Sequence, residues 1–271
     1  MAVSVLTLAL AADLFLPVAG NVRSATGREF RTSVWITNVS QRPVSVRVTF
    51  LERHPAPASS TLTIPVAAGE TKEVDDLPLQ LHRPAVVGAL RFESDEPIAV
   101  SARIFSGAAI GEGLNAVSAA AALNHGDEGF IPGVQASADV HETTYFVETS
   151  GRPAGVLVTL RDSSARTIAH DSFLLEAFEH RALPIAEFAG NTSVRSGSIS
   201  VRATGGSGRV YAIGFQIPSQ TGDGYFVEMT GPASRSDETS ATEMILYSLT
   251  ALAVIAAVAF DLYNRKRSKR G

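Results

Sequence analysis

The segment His141-Glu142-Thr143-Thr144-Tyr145 departs only at its fifth position from His-Glu-x-x-His, in which two imidazoles bind zinc and the glutamate acts as general base. That chemistry needs a helix, which brings positions four apart onto one face. The residues here alternate in a strand pattern, which sends neighbours to opposite faces. A metal role is therefore not expected at His141 or Glu142. Asp75-Asp76, Asp127-Glu128 and Asp223 offer carboxylates, but without the acid-x-acid-x-acid spacing of a calcium loop, and they read as solvated turn acids. The six histidines (54, 82, 125, 141, 170 and 180) show no ligand spacing. With no cysteine in the chain, thiol nucleophiles, disulfides and zinc-thiolate sites are excluded. Neither a Gly-x-Ser-x-Gly elbow nor a phosphate-cradling glycine loop is present. No catalytic residue, metal or cofactor is expected. A hydrolase site assembled from distant strands stands as an alternative that sequence alone does not test.

The elements that would position any site are set by the two ends and by a repeat between them. From Met244 to Phe260 the chain has seventeen residues without a charge, followed by Tyr263 and then Arg265, Lys266, Arg267, Lys269 and Arg270. As a helix this run covers roughly 25 Å, near the lower limit for a membrane span. Tyr247 and Tyr263 are placed to sit at the two interfaces, and the basic cluster predicts a cytoplasmic C-terminus. Ala253 and Ala257 form a small-xxx-small pair at which two such helices can approach. At the other end, an apolar run closing in Ala9-Leu10-Ala11 matches a signal-peptidase site, although a basic n-region is lacking. Five of the 23 basic residues lie in the last seven positions, so residues 1–264 carry a formal charge of -9. This acidic body argues against nucleic acid as a partner.

Between the ends, Ser33 to Leu51 aligns without gaps on Thr143 to Arg161, an offset of 110 residues. Trp35 falls on Tyr145, Arg42-Pro43 on Arg152-Pro153, and Val46, Val48 and Phe50 on Val156, Val158 and Leu160. Gly88 to Phe92 continues the match on Gly197 to Val201, and Ile98 to Phe105 on Val210 to Ile217. Each unit consists of short alternating runs separated by turn residues every ten or so positions. Strands are expected around 14–18, 30–38, 44–52, 60–66, 70–75, 87–93, 98–105 and 114–121. In the second unit they fall around 129–134, 143–149, 154–161, 167–175, 179–185, 197–203, 209–217 and 224–229. Trp35 is expected in the core, and Gly205 to Gly208 as a flexible hairpin tip. Asn38-Val39-Ser40 and Asn191-Thr192-Ser193 match the N-glycosylation pattern, a frequent chance match.

Over roughly residues 13 to 230 the chain resembles the immunoglobulin-like and fibronectin-like modules of bacterial surface proteins. The resemblance is architectural, because the Cys…Trp…Cys spacing of immunoglobulin domains is missing. The tail is also similar to bacterial C-terminal sorting signals, without their LPxTG or PEP boxes. The expected fold is all-β: two tandem antiparallel β-sandwich domains plus one C-terminal transmembrane helix. The expected order is a signal or apolar segment (1–12), sandwiches at 13–123 and 124–229, a polar stalk (230–243), the span (244–263) and a basic tail (264–271). Such an architecture implies a non-catalytic envelope protein, with the lipid bilayer as one partner and an envelope protein or glycan as the other. Recognition would use loops or sheet edges. A spacer or assembly subunit that associates through Ala253 and Ala257 is the alternative.

Overall fold

Alternating apolar residues pack only if one face of each strand meets another layer, and this pattern recurs through the chain. The computed structural model describes residues 12–23, 27–53, 60–106, 110–190, 192–221 and 224–231. The first half contains β1 (Ala12–Arg23), β2 (Glu29–Asn38), β3 (Val44–Leu51), β4 (Thr61–Val66), β5 (Thr71–Val74), the one-turn helix α1 (Leu77–Gln80), β6 (Val86–Ser94), β7 (Ile98–Ser106), β8 (Ile110–Asn115) and β9 (Val117–Ser118). The second contains β10 (Glu128–Ala136), β11 (Val140–Glu148), β12 (Ala154–Arg161), β13 (Thr167–Leu175), β14 (His180–Pro184), α2 (Ile185–Phe188), β15 (Val194–Gly206), β16 (Val210–Pro218) and β17 (Tyr225–Glu228). All pairings are antiparallel.

The strand order of one half reproduces that of the other. In the second half the sheets are β10-β15-β12-β13 and β14-β11-β16-β17; in the first the same orders appear as β1-β6-β3-β4 and β5-β2-β7-β8. There the long β1 joins the two, pairing with β6 along most of its length and with β2 at Val22 and Arg23. Val46, Val48 and Phe50 are buried, as are their counterparts Val156, Val158 and Leu160. Burying each such side chain contributes about 1.5–3 kcal/mol. The buried side chains of both halves belong to one cluster, and the chain through Gly231 forms one compact unit. Leu123 and Val210 exchange two backbone hydrogen bonds (2.8 and 3.0 Å), which ties the joint to β16.

Several local expectations are corrected. The run 114–121 is not one strand: β8 ends at Asn115, β9 crosses to pair with β1, and Ala119–Ala121 form a 3-10 turn whose Ala120 amide donates to Ser118 Oγ. The chain changes sheets here, so a single partner cannot hold it. The four-residue helices α1 and α2 are too short to imprint a 3.6-residue period. Trp35 is not a core residue. Thr32, Val34 and Ile36 are buried while Trp35 is only half-buried, on the opposite face with Arg31 and Ser33. Gly206 and Gly208 are not a loose tip either. A Cβ on either would lie 2.1 Å from the carbonyl of Pro153 or Arg152, so glycine is required for close packing, and φ is +75° at Gly206.

Among the described residues no helix is long and apolar enough to cross a membrane. Met244, Tyr247, Ala253, Ala257, Phe260, Tyr263, Arg265, Lys266 and Arg267 lie outside the described residues, as does the apolar segment before Ala12.

Candidate functional site

On β11, His141 is exposed and Glu142 is buried, as strand alternation requires, so the two cannot share a metal. Among the described residues no three His, Asp or Glu side chains converge on a metal position. Asp75 instead pairs with Arg31 (2.9 Å), Asp76 accepts from Asn21, and Asp127 accepts from the Asn124 amide (2.9 Å). Asp223 and His54 lie outside the described residues. The Asn38 sequon is inaccessible: Asn38 is fully buried and its Nδ2 donates to the carbonyls of Arg42, Val66 and Ala67.

Three buried ionisable groups hold this framework: Glu142, which the sequence motif marked for a different role, and Glu148 and His180, which no pattern marked. Glu142 Oε2 accepts from the Gln135 amide (2.7 Å) beside a bulge in β10. Thr32 holds the corresponding β1 irregularity through the amide and carbonyl of Gly20. Burial raises the Glu142 carboxyl from 4.5 to about 7, opposed by its bonds to Gln135 and Gln216. Glu148, fully buried, accepts from the amides of Ser150, Gly151, Arg152, Phe178 and Arg209 and from Ser150 Oγ. It thereby ties the β11–β12, β13–β14 and β15–β16 connections together, while in the first half Asn38, donating instead, ties the β2–β3 and β4–β5 connections. His180 stacks on Tyr145 (5.5 Å between centroids), its amide donates to Glu52 of the first half (3.1 Å), and burial lowers its pKa to about 4 against a bond to the Pro17 carbonyl.

Phe178 completes the contact between halves. Its φ of +58° is strained for an aromatic residue, at a cost on the order of 1–3 kcal/mol. The surroundings enforce it: Glu148 accepts its amide, its ring stacks on Phe15 (6.5 Å), and Arg91 sits 4.4 Å above it. Burial disfavours the Arg91 charge, but the bidentate bond to Asp13 and the fields of Asp13, Glu93 and Glu148 outweigh it and raise its pKa.

Three of the concave surfaces bear on function. The largest of these three, about 1010 Å³, lies over β4-β3-β6-β1. Its cations are already satisfied, Arg47 by Glu93 (2.7 Å) and Arg91 by Asp13 (2.8 Å), so a partner would have to compete with bonds in place. The second, about 580 Å³, lies on the outer face of β2-β7-β8, between Trp35, Ser101, Arg103, Phe105 and Asn115, with Gly113 leaving open space beside Arg103. Arg31 lies 4.9 Å over the Phe105 ring and is paired with Asp75, whose pKa is lowered chiefly by its bond from Ser33. Arg103 is exposed and forms no ion pair among the described residues. The third is an apolar cavity of about 150 Å³ between the halves, walled by Val18, Val22, Phe30 and Ile104 on one side and Tyr145 and Phe215 on the other.

The repeat relates the last two. Tyr145, Phe215 and Ile217 occupy the positions that Trp35, Arg103 and Phe105 hold in the first half. In the second half this face lines the cavity against the first half, with Phe215 buried and Tyr145 and Ile217 part-exposed; in the first half it carries an exposed arginine in place of Phe215 and lines an open cleft. The pattern of one unit shows two faces per strand but not which outer face a neighbour covers.

No protein-family model and no curated protein matches the sequence. Among solved structures, the crystal structure of Thermotoga maritima 1070 aligns with 40% of this chain and 93% of its own length, at 12% identity and a TM-score of 0.33.

Proposed function

We propose that the chain is a membrane-anchored, extracytoplasmic binding protein, in which a duplicated immunoglobulin-like sandwich presents the outer face of β2-β7-β8 to an envelope protein or glycan. The observation that carries this reading is the uncovered Trp35 face. One repeat later the same positions are Tyr145, Phe215 and Ile217, which line the junction with the first half and of which Phe215 is buried, whereas here an aromatic pair and an exposed cation with no ion-pair partner among the described residues surround an open cleft. Aromatic and arginine side chains supply most of the binding energy at recognition surfaces, because they bury large area and pair with a planar or anionic group at small entropic cost. Ser101 and Asn115 add hydrogen-bonding groups on the same face. Binding rather than catalysis is favoured because the perturbed groups, Glu142 and His180, are engaged in holding the fold.

Trp35→Ala and Arg103→Ala are each expected to weaken binding of the detergent-solubilised chain to membrane-free envelope protein or glycan by about tenfold or more, a loss of ~1.4 kcal/mol or above. Leu174→Ala, an exposed change on β13 in the other half, is expected to leave binding unaltered. Equal binding of all three variants would place the recognition surface elsewhere.

The anchored topology rests on the sequence of the two ends. Protease added to spheroplasts is expected to digest a tag placed after Ala12 and to spare one at Gly271. Protection of both tags would put the body inside the cell.

A further inference from the structure

We infer that the cavity between the halves is a binding site for a small uncharged molecule with a ring-sized apolar body and one hydrogen-bonding end, of the phenol or cyclic alcohol class. Its volume, about 150 Å³, is that of cavities that admit a benzene-sized guest. Its walls are aliphatic and aromatic, from Val18 and Ile104 on the first half to Tyr145 and Phe215 on the second. Pockets of this kind form preferentially between packed units, where neither side alone specifies the filling. The cavity is also graded. Val18, Gly20 and Ile104 are buried, whereas His141 is exposed and Val22, Phe30 and Ile217 are part-exposed, which identifies the solvent end. His141 and Thr143, on the same face of β11, place an imidazole and a hydroxyl along the wall. The guest is therefore oriented with its apolar ring inward and its polar group toward His141. A charged molecule is disfavoured, because the inner wall has no counter-ion among the described residues.

The test is a titration of the full chain with p-cresol, and separately with benzene, following the methyl resonances of Val18, Ile104 and Ile217. Both probes are expected to give saturable shifts confined to these methyls. Val87→Phe and Thr143→Leu, which fill the cavity from opposite walls, are each expected to reduce the p-cresol shifts at least tenfold, so one folded variant suffices. His141→Ala is expected to weaken p-cresol severalfold and leave benzene unchanged. Shifts that fail to saturate, shifts spread over the molecule, or shifts undiminished in a folded cavity-filled variant overturn the site. An equal effect of His141→Ala on both probes overturns the assigned orientation.

Discussion

Replacing Glu148 by alanine is expected to destabilise the protein by about 3–5 kcal/mol, the largest loss for any single side chain outside the apolar core. The carboxylate is fully buried and accepts six hydrogen bonds, five of them from backbone amides at the β11–β12, β13–β14 and β15–β16 connections. Removing it leaves buried donors without acceptors, and each then carries its full desolvation cost. Phe178 would also lose the partner that holds its left-handed backbone, and with it the ring that bears on Phe15 and Arg91. Glutamine is not expected to rescue, since its NH2 group turns donors toward donors. The single tryptophan, Trp35, gives a direct readout by fluorescence during urea unfolding. A midpoint for Glu148→Ala within about 0.5 kcal/mol of the unmodified protein would show that solvent or other groups replace the carboxylate without cost.

The second large effect is a pH dependence hidden by cancellation. His180 falls from 6.5 in the unfolded chain to about 4 in the folded one, so its contribution is complete above pH 6.5 and is lost as pH falls toward 4. Glu142 rises from 4.5 to about 7, so its contribution is complete below pH 4.5 and is lost as pH rises through 7. Between pH 4.5 and 6.5 the two act with opposite sign, each at up to about 1.4 kcal/mol per pH unit. Glu142→Gln is expected to show stability rising by ~3 kcal/mol from pH 4 to 6.5, and His180→Phe stability falling by ~3 kcal/mol from pH 4.5 to 7. Other carboxylates, Asp75 among them, titrate equally in all three proteins and drop out of the differences. Parallel pH profiles for the unmodified protein and both variants would remove burial as the force on these groups.

Much of the framework is legible locally. The strands at 154–161 and 167–175 lie where alternation places them, and Val46, Val48 and Phe50 are buried as their spacing requires. The same applies to the 110-residue offset, since the registers Val34↔Ala102 and Thr144↔Gly214 join corresponding positions of the two units. Backbone pairing and a period of two are nearest-neighbour properties, so they leave a trace in a single sequence.

What covers the outer faces leaves no such trace. Trp35 and Tyr145 have the same pattern and the same place in the repeat, yet one borders an open cleft and the other lines the junction between halves. Glu142, Glu148 and His180 read as surface residues by type and are buried in fact. The amino-acid order by itself determined most of the strands, the repeated strand order and the inward face of strands such as β3 and β12, though not that of β2 at Trp35. The docking of one half on the other decided which outward residues lost water, because that depends on contacts between segments distant in the chain, where neither hydrophobic period nor turn chemistry acts.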